Sequence, residues 1–245
     1  DLQPGVALRR IFLGTDDCRR FVYFDPQGPV DPLENANVMV TGSPGTGKTQ
    51  LLKYLVCRVR EQGKNVLLVD FKNDFASDRA FVFAASLEPV FVTFDGLPYN
   101  PLIPYPVLHP VTGEAFVQCS QHIAGITSVL RATYRLGDQQ QAAVKDAIAQ
   151  AFADCGIDPT GTARLDPAWQ FPDFDSVGST LEHSNPNAYH RLDPLFTLGL
   201  FKPEHRRDSF ERLVGRSVVL DLSQIPSDPI KNALAQLLVM SAHSF

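Results

Sequence analysis

The sequence lacks the features of several protein classes. Its four cysteines, Cys18, Cys57, Cys119 and Cys155, have no C-x-x-C spacing, so we interpret them as reduced, mostly buried thiols of a cytoplasmic protein. No apolar run approaches the roughly 20 residues that a membrane-spanning helix needs, and no signal-like segment is visible. The formal net charge is −5. Any bound DNA would therefore have to contact local basic patches.

Motifs of several enzyme classes are missing as well. The six histidines form no H-E-x-x-H pattern or other paired metal spacing. The sequence contains no G-x-S-x-G motif and no Cys-His pair that indicates nucleophilic catalysis. Trp169, Phe171 and Phe174 are able to stack on nucleic-acid bases, but their proline-rich surroundings favour a role in packing that loop.

What the chain does contain is an ordinary globular composition. It has 245 residues, of which 44% are hydrophobic and 20% are charged. This length suits one sizeable domain with an insertion. The chain opens without an initiator Met and closes at Phe245 within a helical pattern, which we interpret as a fragment of a longer protein.

A phosphate-binding loop is the most specific pattern in the sequence. Gly42, Gly47, Lys48 and Thr49 fit G-x-x-x-x-G-K-[ST]. Glycines in such a loop let successive backbone N–H groups turn toward an anion. We expect Lys48 to contact the β- and γ-phosphates of ATP and the Thr49 hydroxyl to bind Mg²⁺. The predicted nucleotide-binding residues are Gly42, Ser43, Pro44, Gly45, Thr46, Gly47, Lys48, Thr49 and Gln50.

The surroundings of this loop fit the same interpretation. Residues 38–41 are an apolar, partly β-branched run that predicts a buried parallel strand before the loop. After the loop, Leu51, Leu55 and Val59 recur at helical spacing, and Gly63 follows where a helix C-terminal glycine belongs. The motif therefore has the strand and the helix that it requires.

Further strands are predicted at residues 65–71, 89–95 and 217–222. Ligand sites of open α/β sheets lie at the carboxyl ends of parallel strands, so Asp70 is a candidate for the Mg²⁺ or water shell and for catalysis. Asp74 is a weaker candidate. The alternative for either acid is to cap the turn that follows it. Asp221 ends an apolar strand, as a Walker B acid does, but Leu222 follows it rather than Glu.

The remaining patterns divide the chain into four parts. Residues 1–36 carry short β-like pieces, Val6 to Phe12 and Arg20 to Phe24, and predict a strand-rich lead-in. Residues 37–104 and 209–245 form the two parts of an α/β core with a mainly parallel sheet. Residues 105–208 predict a helical insertion, which depends on apolar residues at helical spacing. Those residues are Cys119, Ile123, Ile126, Leu130, Tyr134, Val144, Ile148 and Phe152.

Several segments together resemble a known group. The residues 42–50, 68–74, 99–102, 136–140 and 219–223, in this order, are similar to motifs of the HerA/FtsK superfamily of ring-forming DNA-pumping ATPases. Within it, the sequence most resembles the ATPase component of DNA-phosphorothioation-dependent restriction systems. The resemblance extends over most of residues 6–245.

The resemblance implies a RecA-like P-loop core that binds ATP and Mg²⁺ and pumps double-stranded DNA. It also implies a homo-oligomeric ring, a hexamer in the family, with other subunits of a defence system as partners. By this analogy Asp221 belongs to a structural strand, and the Walker B Asp-Glu pair lies beyond Phe245, so that the core is incomplete at its C-terminal end. An arginine finger is expected of the family, and Arg206 and Arg207 are conceivable candidates.

Three hypotheses follow. The first is a DNA motor ATPase of a restriction system, in which Lys48 and Asp70 are catalytic and Thr49 and Asp70 bind the metal. The second is a conjugation or secretion ATPase of related fold. The third is a nucleotide-dependent assembly switch that turns over too slowly to drive movement.

Overall fold

The computed structural model describes residues 10–25 and 38–244. Within these ranges the strands are β1 (Ile11–Thr15), β2 (Phe21–Phe24), β3 (Leu67–Asp70), β4 (Glu88–Phe91), β5 (Val107–Leu108), β6 (Ala115–Gln118), β7 (Thr162–Arg164) and β8 (Val218–Asp221). The helices are α1 (Lys48–Glu61), α2 (Arg79–Ala84), α3 (Val92–Asp95), α4 (Cys119–Tyr134), α5 (Asp138–Asp154), α6 (Phe174–Ser184), α7 (Pro186–Thr197), α8 (Phe210–Val214) and α9 (Asp228–Ser244).

The chain divides into two compact units. The first comprises Asp1–Pro89 and Val214–Val219, and the second comprises Val90–Leu213 and Leu220–Phe245. The domain limits expected from the sequence, at residues 36, 104 and 208, rest on composition and stay a prediction.

A parallel sheet of three strands has the order β3-β8-β4. At the start of these strands, in the first unit, the amide of Val218 donates to the carbonyl of Val66 at 2.8 Å. The amide of Glu88 likewise donates to the carbonyl of Ser217 at 2.9 Å. The three strands thus begin side by side, and the α/β class with parallel pairing that the sequence predicts is confirmed.

The apolar core of the first unit lies between α2, α1 and this sheet. Phe81, Ala85, Leu87 and Val219 are buried there together with Ala76, and Val56 and Cys57 of α1 pack against them. Helix α2 begins at an N-cap, Asp78, whose carboxylate accepts from the amide of Phe81 at 3.0 Å. The Lys53 ammonium holds the same carboxylate at 2.8 Å, which joins α1 to the start of α2.

An antiparallel hairpin of β1 and β2 also belongs to the first unit. It lies at residues 11–24, within the stretch where the sequence predicts a strand-rich lead-in. The predicted piece Val6 to Phe12 lies mostly outside the described residues, and the lead-in as a separate part of the chain stays a prediction. Asp16 closes the turn by accepting from the amides of Cys18 and Arg20, each at 2.9 Å. These bonds hold Arg19 in the left-handed region, at φ 62°.

Two predicted strands are wrong in whole or in part. Residues 38–41 form no strand, and the side chains of Val38 and Met39 are 53% and 85% exposed. An apolar run joins a sheet only when neighbouring strands pair with it, and within the described residues none does so here. The predicted strand 89–95 ends at Phe91, where helix α3 begins, because the Asp95 carboxylate accepts from the Phe91 amide at 2.8 Å.

The second unit consists mainly of helices. Helix α4 packs on α5 and α9, and α6 packs on α5 and α7. The predicted helical face is confirmed, since nearly all of its residues are buried. Residues 135–137 separate α4 from α5. Among the described helices, none has the length and apolarity that a bilayer span requires.

The predicted helical insertion also contains a small sheet that the sequence analysis missed. Strands β5, β6 and β7 pair antiparallel in that order. Residues 115–118 precede α4 directly. Thr162–Arg164 lies before Trp169, in the part of the insertion for which the sequence predicts a loop. Strands of two to four residues are too short to show an alternating pattern, so only their pairing reveals them.

Candidate nucleotide site

The 42–49 loop leads directly into helix α1. Gly47 is the N-cap of α1 and has φ 87°, and Gly45 has φ 80°. Both conformations are left-handed and favour glycine. At Gly42 the reason for glycine is space, because a Cβ there would lie 2.8 Å from the Thr46 hydroxyl oxygen. The backbone angle therefore favours glycine at position 47, and the contact with Thr46 favours it at position 42.

Lys48 folds back over this loop. Its ammonium donates to the carbonyls of Gly42 and Ser43, each at 2.8 Å. The same Ser43 carbonyl accepts from the Thr46 hydroxyl at 2.8 Å, which tightens the turn. An ammonium has three donors, and none of the ion pairs found among the described residues involves Lys48. The lysine charge thus lies over the loop without a carboxylate, where an anion would be held.

The loop is open to solvent. Residues 41–47 and Gln50 are exposed, and Lys48 and Thr49 are half-buried. The N-terminus of a 14-residue helix attracts anions through its first backbone N–H groups and the helix dipole. The nine predicted nucleotide-binding residues thus lie on one loop and the first turn of α1, and their binding of a nucleotide stays a prediction.

Asp70 is placed differently from the expectation. It ends β3, is 2% exposed, and its carboxylate accepts four backbone N–H groups. The donors are Lys72 at 3.2 Å, Asp74 at 3.1 Å, Phe75 at 2.8 Å and Ala76 at 3.0 Å. Each oxygen of the Asp70 carboxylate accepts two of these bonds. They occupy the lone pairs with which the oxygen would otherwise bind a metal ion. These contacts favour the turn-capping alternative, and the metal and catalytic roles of Asp70 stay predictions.

The other acids do not form a metal cluster. Asp74 is exposed beside this turn. Asp221 is 3% exposed and accepts from the Ser223 amide at 2.7 Å. Among the described residues there is no group of three or more His, Cys, Asp or Glu side chains able to hold a metal ion. Binding of Mg²⁺ by the Thr49 hydroxyl stays a prediction.

The arginine candidates lie in the second unit. The Arg206 guanidinium pairs with the carboxylate of Asp173, the N-cap of α6. Ser176 donates to that carboxylate from its amide and its hydroxyl, and these bonds together with Arg206 hold the pKa of Asp173 below its usual range although burial opposes this. Arg206 therefore has a structural contact in this chain. Arg207 is exposed at the edge of a pocket of about 330 Å³.

The aromatic residues of the 157–175 stretch pack as the sequence favoured. Phe174 is buried and stacks on Phe201 with ring centroids 4.1 Å apart. Phe171 is buried beside Phe152, and Trp169 is half-buried against Phe171.

The four cysteines are free thiols, but only Cys119 is fully buried and Cys18 is exposed.

Sequence reasoning missed the role of Asn100 within the 99–102 motif. Its side-chain amide donates to the carbonyls of Pro172 at 2.7 Å and Arg206 at 2.9 Å. Its side-chain oxygen accepts from the Leu102 amide at 3.0 Å. In the sequence, the position of Asn100 between Pro98 and Pro101 was the only indication of a structural role. It does not identify hydrogen-bond partners that lie more than 70 residues away.

Comparisons with known proteins give one family match and similarity to a solved structure. Residues 29–84 match the family profile described as the type IV secretion-system coupling protein DNA-binding domain. The fold is similar to the structure of VirB4 of Thermoanaerobacter pseudethanolicus, with a TM-score of 0.65 and 22% identity over 98% of this chain. This chain spans 65% of that VirB4 chain. No protein of curated function is detectably similar in sequence.

Proposed function

We propose that this chain is the nucleotide-binding part of a P-loop ATPase of the conjugation or type IV secretion kind. The observation that carries the proposal is the open 42–49 loop with the Lys48 ammonium held over it by two carbonyls at 2.8 Å. The phosphates of ATP would replace those carbonyls as acceptors for Lys48. Catalysis in such sites consists mostly of positioning and charge neutralisation.

The secretion alternative has more support than the restriction hypothesis. The matched family profile describes a coupling protein of secretion, and the similar structure is a VirB4. Neither comparison supports a role in restriction or antiviral defence. DNA is the proposed partner because the matched profile describes a DNA-binding domain. A RecA-like ring of six copies remains part of the proposal through the superfamily resemblance.

Titration calorimetry with Mg²⁺ and ATP or ADP tests the nucleotide site. We expect uptake by the wild-type chain and a loss of at least about tenfold in affinity in Lys48→Ala, because a charge-assisted contact to phosphate contributes about 1.5–3 kcal/mol. Lys145→Ala is the matched control, since Lys145 is an exposed lysine on α5. Unchanged binding in Lys48→Ala would contradict the proposal.

A second measurement separates a motor from an assembly switch. The ATPase rate of the full-length protein is measured with and without duplex DNA. Strong stimulation by DNA supports an ATPase coupled to DNA, whereas negligible turnover in both conditions supports the switch. Copurification of the full-length protein with envelope proteins would favour secretion over restriction.

A further inference from the structure

Three exposed aromatic side chains lie together on the β1–β2 hairpin. Phe12, Phe21 and Tyr23 are 41%, 70% and 38% exposed. The Phe12 ring contacts both others edge-on, with centroid distances of 5.6 Å in each case. The Arg10 guanidinium lies over Tyr23 at 4.6 Å, so the uncovered part of this aromatic face is formed mainly by Phe12 and Phe21.

The hairpin is attached to the helix that begins at the phosphate-binding loop. The Tyr54 hydroxyl of α1 donates to the backbone carbonyl of Phe12 at 2.8 Å. Arg58, one turn further along α1, lies over the Tyr54 ring at 5.3 Å and pairs with Glu61 at 2.8 Å. These contacts fix the direction of the Tyr54 side chain toward the hairpin.

Tyr54 lies one helical turn from Gln50, on the same face of α1. Gln50 directly follows Thr49, and residues four apart on a helix are neighbours on one face. At 1.5 Å of rise per residue, Tyr54 lies only about 9 Å along the axis from Lys48. This separation is comparable with the span of a nucleotide from its terminal phosphates to its base.

The charge of the hairpin favours a nucleotide base over a nucleic-acid strand as the ligand of this aromatic face. The hairpin carries the basic residues Arg10, Arg19 and Arg20 and the acidic residues Asp16, Asp17 and Asp25. Moreover, Arg20 is paired with Asp16 at 2.7 Å. A strand of phosphates requires an excess of positive charge, which this hairpin lacks. An uncharged, flat aromatic ring requires only an aromatic face.

We infer that Phe12 and Phe21 of the hairpin stack on the base of the nucleotide whose phosphates bind the 42–49 loop. The inference rests on the proposed function, because it places the base of that same nucleotide. Tyr54 acts as a positioning residue that holds the hairpin beside α1. Stacking is tolerant of base identity, because every base has a π-face.

The test compares Mg²⁺-ATP with Mg²⁺-bound inorganic triphosphate, which has the phosphates but no base. In the wild type we expect ATP to bind more tightly than triphosphate. In Phe12→Ala and Phe21→Ala the affinity for ATP should fall roughly 5- to 100-fold, because one stacked base contributes about 1–3 kcal/mol. The affinity for triphosphate should stay within about twofold, since the loop is unaltered.

Controls separate stacking from folding. Phe83→Ala removes an 87% exposed phenylalanine from α2 of the same unit and should change neither affinity. Tyr54→Phe keeps the ring but loses the bond to Phe12, so it should lower only the affinity for ATP. The fluorescence of bound 1,N6-etheno-ATP should be quenched in the wild type and recover in Phe21→Ala.

The outcomes distinguish the two proposals. If the wild type binds triphosphate and the hairpin variants keep full affinity for ATP, the stacking inference is overturned and the nucleotide site stands. If the wild type binds neither ligand, both fail. If the hairpin variants lose binding of a single-stranded oligonucleotide but not of ATP, a nucleic-acid strand is the occupant and the inference is wrong.

Discussion

The carboxylate of Asp70 accepts a hydrogen bond of 2.8 Å from the amide of Phe75. It is one of four such bonds that fold residues 72–76 back onto the end of β3. An acid at this place in a P-loop protein suggests a metal ligand, but here its contacts are those of a structural residue. The two roles differ in what a substitution does to stability.

Asp70→Asn should therefore destabilise the protein. In Asp70→Asn an NH₂ group replaces one carboxylate oxygen, so the two backbone N–H groups that donate to that oxygen lose their acceptor. Unsatisfied buried donors cost about 1–3 kcal/mol each. We expect the free energy of unfolding to fall by about 2–4 kcal/mol in urea denaturation. Asp74→Asn, at an exposed position on the same turn, is the control. Full stability of Asp70→Asn, with a changed Mg²⁺ requirement for nucleotide binding, would instead support the metal role.

Glycine at position 96 is required by close packing as well as by its backbone angle. A Cβ at Gly96 would lie 2.2 Å from Cγ of Lys202 and 3.1 Å from the carbonyl oxygen of Leu200. Gly156 also has a positive φ, 75° against 76°, but open space around it. Gly96 differs in its ψ of 175°, a combination of angles that is essentially confined to glycine. Gly156→Ala should cost about 1–2 kcal/mol from its positive φ alone. Gly96→Ala should cost about 1–3 kcal/mol more in thermal or urea unfolding, because its backbone angles and its close contacts both oppose a Cβ, and equal losses would refute this account.

Asn100 joins three segments of the second unit through its side chain. Asn100→Ala leaves the carbonyls of Pro172 and Arg206 and the amide of Leu102 without these partners. We expect a loss of about 2–4 kcal/mol in the free energy of unfolding. Asn187→Ala, an exposed substitution at the start of α7, should stay within about 0.5 kcal/mol of the wild type. A loss in Asn100→Ala no larger than in this control would show that the contacts are dispensable.

His122 should make stability depend on pH. Burial lowers the pKa of its imidazole to about 4, although its bonds to backbone carbonyls oppose the shift. The unfolded chain, with a pKa near 6.5, therefore binds a proton at a pH where the folded chain does not. This contribution to stability is complete above pH 6.5 and is lost as the pH falls from about 6.5 to about 4.

The loss should reach no more than about 3 to 4 kcal/mol, because each pKa unit corresponds to about 1.4 kcal/mol. His122 also borders a pocket, where solvent moderates the cost of charging the ring. The check is urea denaturation between pH 7 and pH 4, comparing His122→Gln with His190→Gln, whose imidazole is exposed. Only His122→Gln should reduce the dependence of the free energy of unfolding on pH. If that dependence in His122→Gln equals the one in the wild type, the assignment to His122 is contradicted.

The sequence by itself determined the local features of this protein. The G-x-x-x-x-G-K-[ST] motif specifies its own backbone turns, and the apolar faces of α4 and α5 follow from spacing within one helix. The positions of β3 and β8 follow from the apolar runs at residues 65–71 and 217–222. In each case the determining interactions join residues close in sequence, so the pattern carries the information.

Only the tertiary structure decided the features that depend on distant partners. Residues 38–41 have the composition of a strand but no neighbour among the described residues, and β5, β6 and β7 form only because they pair with one another. Asp70 has four amide donors where the sequence offered a choice between metal and turn, and Asn100 binds segments more than 70 residues away. Tyr54 meets the hairpin 42 residues earlier in the chain. Hydrogen-bond partners and strand neighbours are set by the folded path of the chain, and periodicity along the sequence does not encode that path.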